Sequence, residues 1–391
     1  VSWVTAEQAL GLLGTKAQSL YASVSRGRVR MKPDPGDARK SLYDRDDIER
    51  LARRSAGRRR AASVAAEAIR WGDPVLASSI TAVVAGRLYY RGLDAVVLAE
   101  TQPLEAVASS LWEAPTVQFP ARQDTMLRAH TIAPLRRAFA VVADCAATGG
   151  PMLGKSPGLL HAEAARLMAV LASAIGALPG EADVHTRLAG GWNRPEAADA
   201  IRRALVLLAD HELNASTFAA RVTASTGAAL AAAALAGLAA LTGPLHGSAP
   251  AGLMTLLPAV EALGAAGAVR GWMAEGRRLP GFGHPLYPEG DVRAKALLKQ
   301  FELPPVFAAL LEAGREITGE EPNVDFALAA LALAYRLPPD APLLIFALAR
   351  CVGWQAHALE QNASGQLIRP RARYTGVPVG GRGKHPMSSE G

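Results

Sequence analysis

Apolar residues recur every three to four positions over most of this chain. Spans near 104–113, 124–147, 160–175, 195–211 and 215–241 are apolar on one face or all round, which predicts helices. Helical text also begins at Ala61 and breaks at Gly72-Asp73-Pro74. Alternation replaces that period in one place, Ser79–Val84 and Gly86–Arg91, which predicts a short strand pair turned into helix by Gly92-Leu93-Asp94. The first sixty residues have finer grain. Thr5 is placed to cap a helix over Ala6–Leu13, with Glu7 and Gln8 in its first turn and Gly14 at its end. A second helix is expected over Lys16–Ser25, stopped by Gly27. Arg28–Met31, a turn over Pro33–Asp37, and Lys40–Tyr43 read as strand, turn, strand, after which Asp44 caps a helix over Arg45–Arg54.

Composition supports a mainly helical chain. Half of the 391 residues are hydrophobic, only 5% are aromatic, and alanine is abundant. The length suggests two or three domains. No apolar run is expected to reach the ~20 residues that span a bilayer; the longest candidate, Gly227–Leu241, reads as a core helix. Val1-Ser2-Trp3 lacks the character of a signal peptide, and Cys145 and Cys351, far apart in apolar company, read as reduced thiols of a cytoplasmic protein. Charge is unevenly placed. Residues 1–60 hold 14 Lys/Arg against 7 Asp/Glu, which accounts for the whole net charge of +7.

That basic segment resembles small winged helix-turn-helix domains of the excisionase and mercury-regulator type. The resemblance implies DNA as a partner, with Lys16, Gln18, Ser19 and Tyr21 on a recognition helix and Arg28, Arg30, Lys32 and Arg39 at phosphates. The alternative is a helical appendage for packing or dimerisation with a solvated basic face. Residues 55–60 read as a linker.

Four motifs downstream carry chemistry. Asp210-His211-Glu212-Leu213-Asn214 sets a histidine between two acids, with Arg221 further on. Gly243-Pro244-Leu245-His246-Gly247 follows a histidine with glycine. Pro280-Gly281-Phe282-Gly283-His284-Pro285 cannot be helix, so His284 sits on a shaped loop with Arg293 nine residues on. Glu321-Pro322-Asn323-Val324-Asp325-Phe326 puts a carboxylate beside an apolar run, where desolvation raises its pKa and strengthens it as a base. Each has a plainer reading: His211 as a helix-end histidine, His246 as a turn cap, Asp325 as an N-cap, Arg350 and Arg369 as surface residues. The histidines lack the short spacings of a metal site.

Taken together and in order, these motifs resemble the citrate synthase family. The resemblance extends from Leu88-Tyr89-Tyr90-Arg91-Gly92 to Ala347-Leu348-Ala349-Arg350, Gly353-Trp354-Gln355-Ala356-His357 and Leu367-Ile368-Arg369-Pro370, about residues 75–375. It implies a mainly α fold in which a small helical domain (247–339) is inserted into a large one (61–246 and 340–375), preceded by the winged domain (1–54) and followed by a flexible tail (376–391). It implies condensation of acetyl-CoA with oxaloacetate and hydrolysis of the thioester, with no cofactor and no metal. By similarity Asp325 is the base, His246 donates to the thioester oxygen and His284 polarises the ketone. His211, Arg293 and Arg350 would bind oxaloacetate, and Arg369 would reach across a homodimer. Departures from the family pattern lie at Ser248, Pro250, Pro288 and Ala327, and bear on acyl-CoA affinity and preference. A 2-methylcitrate synthase using propionyl-CoA, and a DNA-binding regulator with a metabolite-sensing body, are the competing readings.

Overall fold

The computed structural model describes residues 3–13, 20, 23–24, 29–49, 76–120, 132–244, 246–247, 249–372 and 374–376, in two units, residues 1–77 and 78–391. Most of the second helix expected over Lys16–Ser25, the linker, and nearly all of the tail lie outside the described residues.

In the first unit, β1 (Trp3–Thr5), β2 (Met31–Asp34) and β3 (Asp37–Asp44) form an antiparallel sheet in the order β1-β3-β2. Alternation drives it: Val4 pairs with Tyr43, and both are buried with Ala9, Leu13, Leu20, Val29 and Ile48. Helix α1 covers Ala6–Leu13 as expected, closed by a capping box. The Gln8 amide donates to Thr5 Oγ1 (3.3 Å) and the Thr5 amide donates to Gln8 Oε1 (3.1 Å). One element was unanticipated and one expectation is corrected. Trp3–Thr5 is a strand, unheralded because three residues are too few to show alternation. The second strand runs over Met31–Asp34, not Arg28–Met31, because Asp34 accepts the Gly36 amide (2.9 Å) and moves the turn along the chain. Asp44 caps the following helix as expected, accepting from the Asp46 and Asp47 amides at 3.0 and 3.1 Å.

The second unit opens with β4 (Thr81–Val84), β5 (Arg87–Tyr90) and β6 (Leu93–Asp94) in one sheet. Helices follow: α2 (Ala95–Thr101), α3 (Leu104–Trp112), α4 (Pro134–Thr148), α5 (Pro157–Ala174), α6 (Val184–Gly191), α7 (Ala198–Leu208), α8 (Ala215–Ala224), α9 (Leu230–Leu241), α10 (Ala249–Ala274), α11 (Val292–Leu298), α12 (Pro305–Thr318), α13 (Val324–Ala334) and α14 (Ala341–Ser364). The helix expected over 195–211 starts as a 3₁₀ turn and stops at Leu208, leaving Ala209–His211 irregular. The one expected over 215–241 is two, parted at Gly227 (φ 78°), where a Cβ would meet Leu153 at 2.6 Å; α8 and α9 then fold back on each other.

A large core joins residues from Ile80 to Ala358, and a smaller one gathers Leu253, Val269, Phe307, Leu310 and Phe326. Helix α13 belongs to both: Ala327, Leu328 and Leu331 enter the first, Phe326, Ala329 and Ala330 the second. A helix apolar all round fits that sandwiched place, and Asp325 stands in its first turn. The expectation of no helix long enough to cross a bilayer is corrected too. Pro250–Ala274 and Ala341–Ser364 both qualify by length and composition. The latter is almost wholly buried in the protein, and the former is interrupted at Gly264. Cys351 is buried and Cys145 half-buried.

Candidate active site

The irregular segment after α7 presents His211, and the glycine-rich loop before α11 presents His284 and Tyr287. Their rings form one cluster. His211 and His284 meet edge to face at 5.1 Å, His284 and Tyr287 lie 4.9 Å apart, and His211 Nε2 is 2.9 Å from the Tyr287 hydroxyl. The Leu286 amide donates to His284 Nδ1 (3.2 Å). Nδ1 therefore accepts, and a neutral His284 carries its proton on Nε2, away from the loop.

That loop is stitched to the start of α13. The Gly283 amide donates to Glu321 O (2.9 Å), the Asn323 amide to Gly281 O (2.8 Å), and Asn323 Nδ2 to Gly283 O (3.0 Å). Gly283 holds φ 69°, and a side chain there would run into the Glu320 carboxylate. Asn323 also caps α13, accepting the Asp325 amide at 3.0 Å. The N-cap reading of Asp325 is thereby excluded, and its Oδ1 is buried without a hydrogen-bond partner among the described residues. Burial pushes this carboxyl up to about 7, against the pull of Arg293 and Arg350.

Two guanidiniums complete the cluster. Arg293 is buried, and both Nε (2.9 Å) and Nη2 (2.8 Å) are held by Asp291. Asp291 also accepts the amides of Arg293 and Val324, so one carboxylate caps α11 and ties it to α13. Half of the Arg293 fork is thus committed within the protein. Arg350, on α14, donates through Nε to Leu208 O (2.9 Å), and its Nη2 is buried without a partner among the described residues. Burial brings it down to about 10, with Arg293 adding repulsion and Asp210 opposing it.

His246 lies in the turn before α10, with Nε2 2.8 Å from Ser216 Oγ. The Trp354 indole N–H donates to the same oxygen (3.1 Å). The Ser216 hydroxyl donates to Asn214 Oδ1 (2.7 Å), which also accepts the amides of Ser216 and Thr217 (3.1 Å each). Ser216 thus has its one proton on Asn214, and its oxygen holds the His246 ring in place. Burial and the charge of Arg350 bring His246 down to about 4; burial and Arg293 do the same to His284. His211 is lowered as well, by burial first and by Arg293 and Arg350. The arrangement offers two neutral imidazoles, a carboxylate poised near neutrality and two cations. Among the described residues no group of three or more His, Cys, Asp or Glu is arranged to hold a metal.

Six of the seven anticipated site residues are therefore brought within electrostatic reach of one another; Arg369 is not. It is exposed and makes no described contact with this cluster. Of the proposed DNA contacts, Lys16, Gln18, Ser19, Tyr21 and Arg28 lie outside the described residues. Arg30 is tied to Asp47 (2.8 Å) and Asp44 (2.9 Å), so its charge is matched within its own unit. Single-residue reasoning passed over Tyr287, Ser216 and Asp291. Asp291, two residues before an arginine at a helix start, was the most readable of the three. Among the departures, Ala327 is fully buried in the core, Pro250 is buried in the first turn of α10, and Pro288 is exposed. Ser248 lies outside the described residues.

Comparison with known proteins gives a consistent picture. The family model "Citrate synthase, C-terminal domain" matches residues 128–371. Citrate synthase 2 of Bacillus subtilis (strain 168) is 38% identical over 196 residues, covering 46% of this chain and 52% of that protein. 2-Methylcitrate synthase 1 of Corynebacterium glutamicum is 36% identical over 198 residues, 46% of this chain and 51% of that one. The chain spans about half the length of the curated relatives it matches. The crystal structure of citrate synthase from Thermotoga maritima MSB8 superposes with a TM-score of 0.62 at 27% identity, over 80% of this chain and 98% of that one.

Proposed function

The chain belongs to the citrate synthase family, and from that premise we propose that it condenses acetyl-CoA with oxaloacetate and hydrolyses the thioester to citrate and CoA. The observation that carries this is the Asp325 carboxyl, unpartnered at Oδ1 among the described residues and raised to about 7. A base of that strength is matched to removing a proton near neutral pH.

A thioester methyl is a weak carbon acid, so its proton leaves only if the developing enolate oxygen is stabilised. Asp325 takes the proton while His246 donates a hydrogen bond to that oxygen. A neutral donor suits the step, because it stabilises the enolate without fully protonating it; preorganised donors are worth ~10²–10³ in rate. The enolate carbon attacks the ketone of oxaloacetate. The Nε2–H of His284 polarises the ketone and then protonates the new alkoxide. Water finally cleaves the thioester. His211, Arg293 and Nη2 of Arg350 hold the dicarboxylate, for which guanidinium forks are suited.

The two cores sharing α13 support a small domain over 247–339 closing on the large one, with Asp325 at the seam. The exposure of Arg369 leaves it available to complete the site of a second copy in a homodimer. CoA release from acetyl-CoA and oxaloacetate, measured on wild type and on Asp325→Asn, tests the proposal. Folded wild type that releases no CoA above background ends it, and activity surviving the substitution ends the assignment of the base.

A second reading, propionyl-CoA as the acyl donor giving 2-methylcitrate, is favoured by one observation: relatives bearing either name match at similar identity. Comparing kcat/KM for the two acyl-CoAs chooses between them.

A further inference from the structure

The segment carrying His211 is fastened to α14 residue by residue. Arg350 Nε donates to Leu208 O (2.9 Å), the Gly353 amide donates to Ala209 O (3.0 Å), and His357 Nε2 lies 3.2 Å from Asp210 Oδ2. Arg350, Gly353 and His357 stand one turn apart on one face of α14. A Cβ at 353 would meet Asp210 Oδ1 at 2.3 Å, so the absent side chain lets the carboxylate lie on the helix between the arginine and the histidine. Tyr90 fastens the same segment from the other side: its hydroxyl donates towards Val206 O (3.0 Å) and Asp210 O (3.2 Å) and accepts the Asp210 amide (3.3 Å).

The polar chain continues outward. Arg221 Nη1 is 3.2 Å from His357 Nδ1 and 2.6 Å from Glu360 Oε2, and Glu360 Oε1 accepts the Ser79 amide at 2.7 Å. Arginine has no acceptor, so Nδ1 of His357 must accept, and Nε2 must donate to Asp210. Asp210, His357 and Arg221 are 0%, 1% and 3% exposed, so these groups have no water to fall back on. A buried polar chain of this kind holds its members rigidly when every link is made. None of the three belongs to the groups proposed to touch substrate.

We propose that Asp210 and His357 are positioning residues for the substrate site: Asp210, held by the His357 hydrogen bond, clamps the segment 208–211 to α14 and so holds His211 in register with Arg350. The inference rests on the function proposed above, in which those two residues bind the 2-oxo acid. The groups facing Asp210 are His357 and Arg350 on α14, Tyr90 on β5 and Thr81 on β4. Burial pushes its carboxyl up, but His357, Arg350 and Thr81 together hold it below the ordinary aspartate value. Without the His357 donor, burial is left less opposed, and Asp210 takes up a proton nearer neutrality.

The test is KM for oxaloacetate against pH in three variants. His357→Leu removes the donor. Its KM is expected to exceed wild type by roughly tenfold at about pH 6, with the ratio shrinking as pH rises, since a carboxyl changes tenfold in charge ratio per pH unit. His357→Gln, whose amide can donate to Asp210 and accept from Arg221, is expected within about twofold of wild type at every pH. Asp210→Asn removes the titrating group, so its KM is raised by a factor that does not vary with pH. Equal KM for the Leu and Gln variants, or a Leu ratio flat with pH, overturns the proposal. If His357→Leu does not fold, an unchanged KM in Asp210→Asn overturns it alone. Calorimetric binding of oxaloacetate reads the same differences without turnover. Wild type that binds but releases no CoA therefore fails the functional reading only, and wild type that does not bind oxaloacetate sinks both.

Discussion

Ser216 Oγ lies 2.8 Å from Nε2 of His246 and receives the Trp354 indole N–H from another direction. The serine thereby fixes the orientation of the imidazole. Ser216→Ala leaves the rest of the pocket intact but removes the contact that holds the His246 ring. A fall in kcat of ~10- to 100-fold is expected, on the scale of losing part of an oxyanion donor, with KM for oxaloacetate within about twofold. Steady-state kinetics at pH 8 checks it; a change in KM alone would move Ser216 to the 2-oxo acid side.

The pH profile separates the base from the histidines. Asp325 must be ionised to accept a proton, and its carboxyl stands near 7. Activity should therefore fall as pH drops through about 7, with unit slope. His246 and His284 act as neutral donors and stand near 4, so neither adds a limb above about pH 5. A kcat/KM profile flat from pH 5 to 8 would contradict the assignment of Asp325.

The fold and most of the site were legible in the sequence because both rest on local signals. Thr5, Asp44 and Asn214 cap helices where their side chains announce it. The loop that carries His284 is marked by its glycines and prolines. What was not legible depends on distant partners. Nothing near Ser216 announces that it meets His246, thirty residues on, or Trp354, still further away. The break between α8 and α9 is hidden for a related reason: the alanine-rich text is helical by propensity on both sides, and one glycine in an unusual backbone state decides the matter. A substrate-binding role for Arg293 follows from the family resemblance, but its commitment to Asp291 appears only once α11 and α13 are brought together.

That commitment yields a third prediction. Asp291 is fully buried, holds two nitrogens of Arg293 and accepts two amides at helix starts. Asp291→Ala leaves a buried guanidinium and two amides unserved. The loss should be about 3–5 kcal/mol, the range for breaking a buried ion pair, seen as a large drop in urea midpoint. An unchanged midpoint would mean that Arg293 finds another anion.

Gly237 of α9 faces the Trp354 ring: a Cβ there would fall 2.5 Å from it. Alanine is the better helix former, so on propensity alone Gly237→Ala should stabilise by up to about 1 kcal/mol. Packing opposes this, because the indole is buried and its N–H is bound to Ser216. Overpacking of this sort costs about 1–3 kcal/mol, so the net expectation is a lower Tm. Displacing the indole also loosens Ser216, so kcat should fall along with Tm. A lower Tm with unchanged kcat would separate the packing of Trp354 from its hold on the serine.

Asp325 has a cost that the protein bears for its chemistry. A carboxyl held near 7 in the folded state and near 4 when unfolded binds its proton more tightly when folded. Folding is therefore favoured by this group at low pH, and the benefit is lost as pH rises from about 4 to about 7. Asp325→Asn removes the titration. The variant should gain stability over wild type at pH 8 and little or none at pH 4. Each tenfold difference in proton affinity between the two states is worth ~1.4 kcal/mol, so the gain is a few kcal/mol at most. Thermal or urea unfolding of both proteins at the two pH values measures the difference. An Asn variant less stable than wild type at pH 8 would mean that the carboxylate is held by favourable contacts, and it could not then be the desolvated base that the proposed reaction requires.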